Sequence, residues 1–203
     1  MGICSLTGDA AMALLILGLA LFLGVHSARV FAEGARTGFI AQRGENAWKG
    51  LYSVLSIAGF VLLIWGYGLA RQQPVVLWTP PTWARHLAAL LTLPAFVLLV
   101  AAYVPGNSIK ARLHHPMVLG IKTWAFAHLL ANGMLAQALL FGSFLIWAAL
   151  SFRAARQRDR LAQVVYAPGR LGPTLVTVAV GLVAWAALAF WAHGALIGVR
   201  PFG

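Results

Sequence analysis

Acid is the scarcest chemistry in this chain. Four carboxylate side chains occur in 203 residues: Asp9, Glu33, Glu45 and Asp159. All four fall in loops or at the ends of apolar runs. That excludes a carboxylate-rich di-iron site, which needs several inward Glu or Asp residues, and a proton pump built on buried acids. Cysteine is nearly absent as well. Cys4 stands alone, so there is no disulfide framework and no thiolate zinc site. No HExxH-like spacing occurs, and a zinc hydrolase wants three ligands and a general base. Charge of any sign is sparse: 9% of residues are charged and 61% hydrophobic, with a mean hydropathy of +0.84. A soluble domain carries roughly 25% charged residues, so this composition excludes one.

Apolar length is what the sequence has instead. Runs of about 20 apolar residues read as membrane spans. The pattern predicts six, at about 10–31, 47–70, 84–104, 116–131, 134–152 and 173–198. The run from Ala10 to Phe31 is too long for a signal-peptide core and has only Asp9 as a charge before it; it is read as a retained span. Gly34, Gly38 and Gly44 with Arg36 and Arg43 end the first span, and "QQPVVLWTPPTW" separates the second from the third. Trp78 and Trp83 in that loop are typical of a membrane interface. Pro105-Gly106-Asn107 ends the third span, and Pro116 opens the fourth where its missing N–H costs nothing. Asn132-Gly133 divides a stretch too long for one span. The expectation is an all-α polytopic membrane protein, a six-helix bundle in which residues 1–203 form a single domain.

The basic residues test that count. With loops alternating, one side carries Arg29, Arg36, Arg43, Lys49, Lys110, Arg112, Arg153, Arg156, Arg158, Arg160 and Arg170. The other carries Arg71, Arg85 and Arg200. The basic side belongs in the cytoplasm, which puts both termini outside. Fusing the fourth and fifth spans would abolish the bias. The net charge of +11 is thus explained by topology. Nucleic acid is not an expected partner; membrane lipid is, and the arginine run 153–160 faces anionic headgroups.

Six histidines remain to be placed: His26, His86, His114, His115, His128 and His193. His86, His114 and His115 lie near expected membrane surfaces, where a histidine is ordinarily an interfacial side chain. His26, His128 and His193 lie in or near the ends of apolar spans, where ionisable groups face a partner, a cavity or a cofactor. Two readings stand for each: a neutral imidazole hydrogen-bonded to a neighbouring helix, or a ligand. Two buried imidazoles without buried acid suit a haem, which brings four nitrogens and needs only one or two axial ligands. His115 and His128 are 13 residues apart, which on one helix is about 20 Å of rise and roughly 220° of rotation. They cannot share an iron, so the second ligand must come from another helix, and His26 is the best-placed candidate. The face of His128 includes Ile121, Trp124, Ala125, Ala131 and Asn132, and that of His26 includes Leu19, Phe22, Leu23 and Arg29. Trp124 is expected to contact the cofactor. Small Ala125 and Ala131 leave room for a flat ring or let helices pack closely. Arg29 could pair with a propionate or snorkel as a plain anchor. The depths of His26 and His128 match only if the first helix runs on toward Gly38; if it stops at Phe31 the two imidazoles are misaligned by about 10 Å at 1.5 Å per residue.

Several segments carry a family resemblance. "HPMVLGIKTWAFAHLLANG" followed by "LLFGSFLIWA" resembles the signature of the NnrU family of bacterial membrane proteins. "FLGVHSARVF", "PVVLWTPPTW", "VPGNSIKARLHHP" and "HGALIGVRPF" agree with it, so the resemblance covers essentially the whole chain. It implies a bacterial inner membrane, with both termini then periplasmic, and an association with nitrite and nitric oxide reduction. A relative in plants and cyanobacteria is 15-cis-ζ-carotene isomerase, a haem b membrane enzyme. That relationship implies axial ligation by the histidines here numbered His26 and His128. The "HP" element also resembles the "RHP" of isoprenylcysteine carboxyl methyltransferases, which bind S-adenosylmethionine. Two departures stand out: His114-His115-Pro116 replaces the usual "RHP", and Met134 replaces the acid of "NGD".

Four functions therefore compete. They are a haem b redox or nitric-oxide-handling protein, a haem-dependent polyene cis–trans isomerase, a membrane methyltransferase, and an accessory protein for a nitrogen-oxide reductase. The third is lowest, because no acid is evident to hold ribose hydroxyls. The ligand expected under the first two is a small gas or an extended hydrophobic molecule. His193 is expected at the outer edge of the haem pocket rather than as an axial ligand, or else hydrogen-bonded at the outer interface.

Overall fold

The computed structural model describes residues 8–202 and is all-α among them, with no strand and two isolated bridges. In chain order the helices begin with α1 (Gly8–His26), α2 (Ala28–Phe31), α3 (Glu33–Arg43) and α4 (Glu45–Ala70). They continue with α5 (Thr82–Ala101), α6 (Ser108–Leu113), α7 (Pro116–Ala131) and α8 (Leu135–Leu161). The last run comprises α9 (Leu171–Ala187), a π-helical turn (Leu188–Ala192) and α10 (His193–Ile197). Five of these are long and apolar enough to cross a membrane: α1, α4, α5, α8 and the run Leu171–Ile197. α7 is apolar but has 16 residues, about 24 Å at 1.5 Å per residue, short of a hydrocarbon core of about 30 Å. The chain is a multi-pass all-α membrane protein, and its fourth apolar segment is a short one.

The first expected span is also subdivided. α1 stops at His26, Ser27 breaks the helix, and Ala32 breaks it again before α3. The first helix therefore does not run on toward Gly38; the residues from Glu33 to Arg43 form the separate α3. Cys4 lies outside the described residues.

The chain divides into two compact units. The first takes the residues up to Trp78 together with Gly133–Trp147. In it α1 and α4 run antiparallel at a backbone separation only glycine allows. A Cβ on Gly18 would strike the Leu62–Leu63 backbone, one on Gly59 that of Phe22, and one on Gly66 that of Leu14–Leu15. Small residues at such a crossing are how apolar helices gain close contact in lipid. The loop after α4 pairs with the start of α8: the N–H groups of Leu77 and Trp78 donate to Gly133 O, and Leu135 N–H donates to Val75 O.

The second unit takes Thr79–Asn132 and the chain from Ala148 onward. α5 is its centre. α7 packs on it where Gly120 meets Ala95, Leu98 and Leu99, and α9 where Gly181 meets Val97. Trp185 Nε1 donates to Thr92 Oγ1 at 3.0 Å, joining α9 to α5. Asn107, 1% exposed, organises the turn into α6: its side chain accepts from Lys110 N and donates to the carbonyls of Ala101 and Val104. α8 runs on beyond its apolar part and carries Arg153, Arg156, Arg158 and Arg160 on a helical extension.

Candidate functional site

A histidine in an apolar helix must satisfy two ring nitrogens. In the first unit, His26 closes α1, and its Nδ1 lies 2.7 Å from Phe22 O, one turn back. A carbonyl oxygen only accepts, so Nδ1 carries the proton and Nε2 keeps its lone pair. Aromatic rings surround the imidazole: Phe22 at 4.2 Å, Tyr52 at 5.2 Å and Trp147 edge-on at 6.2 Å. The buried indole N–H of Trp147 has no hydrogen-bond partner. Arg29, on the following short helix, lies 3.6 Å from Glu33, and Arg36 bonds the same carboxylate at 3.0 Å.

In the second unit, His128 repeats the arrangement. Its Nδ1 lies 2.9 Å from Trp124 O, and the Trp124 ring stands 5.0 Å away. Asn132 Nδ2 donates to His128 O at 2.7 Å and adopts an extended backbone, which ends α7. Ala125 is completely buried and Ala131 half-buried. His193 follows the π-helical turn, its Nδ1 donates to Val199 O at 2.6 Å, and it lies within electrostatic range of His128. In all three span histidines the Nδ1 proton is held by a backbone carbonyl, which makes Nε2 the basic nitrogen. That is the state in which imidazole ligates a metal, with Nδ1–H held by a carbonyl. Each imidazole, taken by itself, offers the kind of nitrogen that an axial haem ligand needs. Among the described residues no group of three or more His, Cys, Asp or Glu could hold a bare metal ion.

Reading the sequence did not foresee the network around "HHP". His115 Nε2 donates to Asp159 Oδ2 at 2.7 Å, and Tyr166 Oη donates to the same oxygen at 2.9 Å. Arg156 donates to His114 Nδ1 at 2.6 Å, and the His114 ring stacks on Tyr166 at 3.9 Å. Burial and the adjacent Asp159 carboxylate push the Tyr166 hydroxyl above its usual range, which keeps it a donor. His114 holds a left-handed backbone, φ +67, between α6 and the helix-opening Pro116. These side chains tie the α6–α7 turn to the arginine-bearing end of α8. The available signal was Asp159 itself, the only acid after Glu45.

Comparison with curated proteins and with solved structures finds no match. The family described as NnrU protein matches residues 14–201, nearly the whole chain, and the protein belongs to the NnrU family.

Proposed function

We propose that the protein is a haem b protein of the bacterial cytoplasmic membrane, with His26 and His128 as axial ligands and a role in nitrite or nitric oxide metabolism. The observation that carries the reading is the shared tautomer: each imidazole gives Nδ1–H to the carbonyl four residues earlier, which makes Nε2 the basic nitrogen, the form that supports ligation. Trp147 supports it from the first unit, because a buried indole N–H without a partner costs about 1–3 kcal/mol unless a bound group accepts from it. Trp124 orients His128 through its carbonyl and stands beside its ring. When bound, the haem would supply a one-electron centre and a site for a diatomic ligand. The family's association with nitrite and nitric oxide reduction supports that ligand class. Both termini are periplasmic in this reading, and the basic loops face the cytoplasm.

A second reading, a haem-dependent polyene isomerase, draws on the aromatic walls around His26. Phe22 has Phe60 at 5.9 Å and Phe144 at 6.0 Å, an apolar surface suited to an extended hydrocarbon.

The absorption spectrum of the purified protein tests the proposal. A Soret band is expected, and a protein that neither carries haem nor takes it up overturns the reading. Product analysis in carotenoid-producing cells then separates the two functions, since only the isomerase changes the geometry of the polyene pool.

A further inference from the structure

The last span is the least covered of the long helices. Of its apolar window 11% is buried, against 22% for each of the other four. Its far end, remote from the arginine run 153–160, has an unusual construction. The π-helical turn accommodates an extra residue, and Phe190 and Trp191 on it are 68% and 75% exposed. Gly198 then reverses the chain with φ +76, and the tail folds back on the helix. His193 donates to Val199 O, and Phe202 stacks on Phe190 at 5.1 Å. Arg200 lies across Gly194, where an added Cβ would meet its Cγ at 3.2 Å. Phe190, Trp191, Gly194, Arg200 and Phe202 line a groove of about 540 Å³, within the range of ligand-holding clefts.

Among the described residues that line it, the groove has a cation but no anion. Among the described residues no ion pair involves Arg200. Asp159, the only acidic side chain of the second unit, is held by His115 and Tyr166. A guanidinium with no ion-pair partner among the described residues, beside exposed aromatic rings at the end of a membrane span, is complementary to a lipid with a negative headgroup. We propose that this groove binds an anionic phospholipid, with the phosphate on Arg200 and the upper acyl chain against Phe190 and Trp191. The guanidinium fork matches phosphate oxygens, and aromatic rings favour the interfacial depth where the headgroup joins the chains. A free phosphate would use the arginine but gain nothing from the exposed rings, so the lipid is the occupant.

The test uses the full chain in detergent with phosphatidylglycerol and phosphatidylcholine in competition, the retained lipid being read by native mass spectrometry. Phosphatidylglycerol should be favoured about five-fold, the factor one cation beside an anionic headgroup is worth. Arg200→Gln should remove the preference, and Arg85→Gln, at another cation of the sparsely basic side, should leave it intact. An unchanged preference in the Arg200 variant overturns the proposal. So does displacement of phosphatidylglycerol by millimolar inorganic phosphate, which would mark a soluble-anion site. The wild-type preference should also decline as salt rises. That readout survives even if the variant fails to fold, and a salt-independent preference overturns the proposal.

Discussion

At the scale of single residues, an imidazole in lipid has to dispose of one proton and one lone pair. His26 and His128 solve the first half alike, by donating Nδ1–H to the carbonyls of Phe22 and Trp124. The second half is where the haem proposal makes contact with measurement. His128→Ala and His26→Ala should each abolish or strongly alter the Soret band, while exposed His86→Ala leaves it unchanged. His193→Ala should retain the band, because the proposal does not make it an axial ligand; nitric oxide binding should change if His193 lines the pocket edge and stay the same if it only holds Val199 O at the outer interface. Loss of haem from the His193 variant would show that the axial ligands are misassigned. The three histidines were legible because ionisable groups interrupt apolar runs. The Asp159 network was not, because His115 lies 44 residues from Asp159 and His114 lies 42 from Arg156, and only folding brings these pairs together. Asp159→Ala strands the donors of His115 and Tyr166, and losing hydrogen bonds to a charged acceptor costs about 1.5–3 kcal/mol. Hydrogen exchange should report this as faster opening of residues 108–115, with the Soret band preserved. Unchanged exchange there would mean the network holds nothing in place.

At the scale of elements, the helix boundaries were largely legible, since an apolar run shows its own ends. The segment expected at 47–70 is helix from Glu45 to Ala70, and the one expected at 116–131 is Pro116–Ala131. The break at Ser27 and the π-helical turn at Leu188–Ala192 were not legible. Neither contains proline, and both interrupt sequence that reads as continuous helix. Packing fixes the glycines in the same selective way. Gly66 and Gly68 are two residues apart on α4, yet only Gly66 meets another backbone. Gly66→Ala should therefore destabilise the α1–α4 pair by about 1–3 kcal/mol through overpacking. Gly68→Ala, with nothing within 4 Å of its added Cβ, should be neutral or stabilise by up to about 1 kcal/mol through helix propensity. Thermal unfolding in detergent compares the two. Equal midpoints would mean the close crossing of α1 and α4 contributes nothing to stability.

At the scale of the whole molecule, orientation follows from a charge count rather than from any contact. Eleven basic side chains fall on one set of alternating loops and three on the other, with Lys122 within α7. That asymmetry depends on α7 and α8 being separate crossings. They are distinct helices divided at Asn132-Gly133, although α7 is only 16 residues long. A short helix with a polar end is accommodated by local thinning of the bilayer or by flanking side chains reaching outward, at fractions of a kcal/mol per Å of mismatch. The charge asymmetry therefore predicts that α7 crosses, which keeps the five arginines after Leu150 with the other basic loops. Single-cysteine variants in a Cys4→Ser background decide the matter. Ala162→Cys, exposed just beyond the arginine-bearing end of α8, should react with an impermeant maleimide only after the cytoplasmic side is opened. Thr79→Cys, exposed in the loop before α5, should react in intact spheroplasts. Labelling of both from the same side would mean that α7 does not cross, and would transfer the arginine run 153–160 to the periplasm.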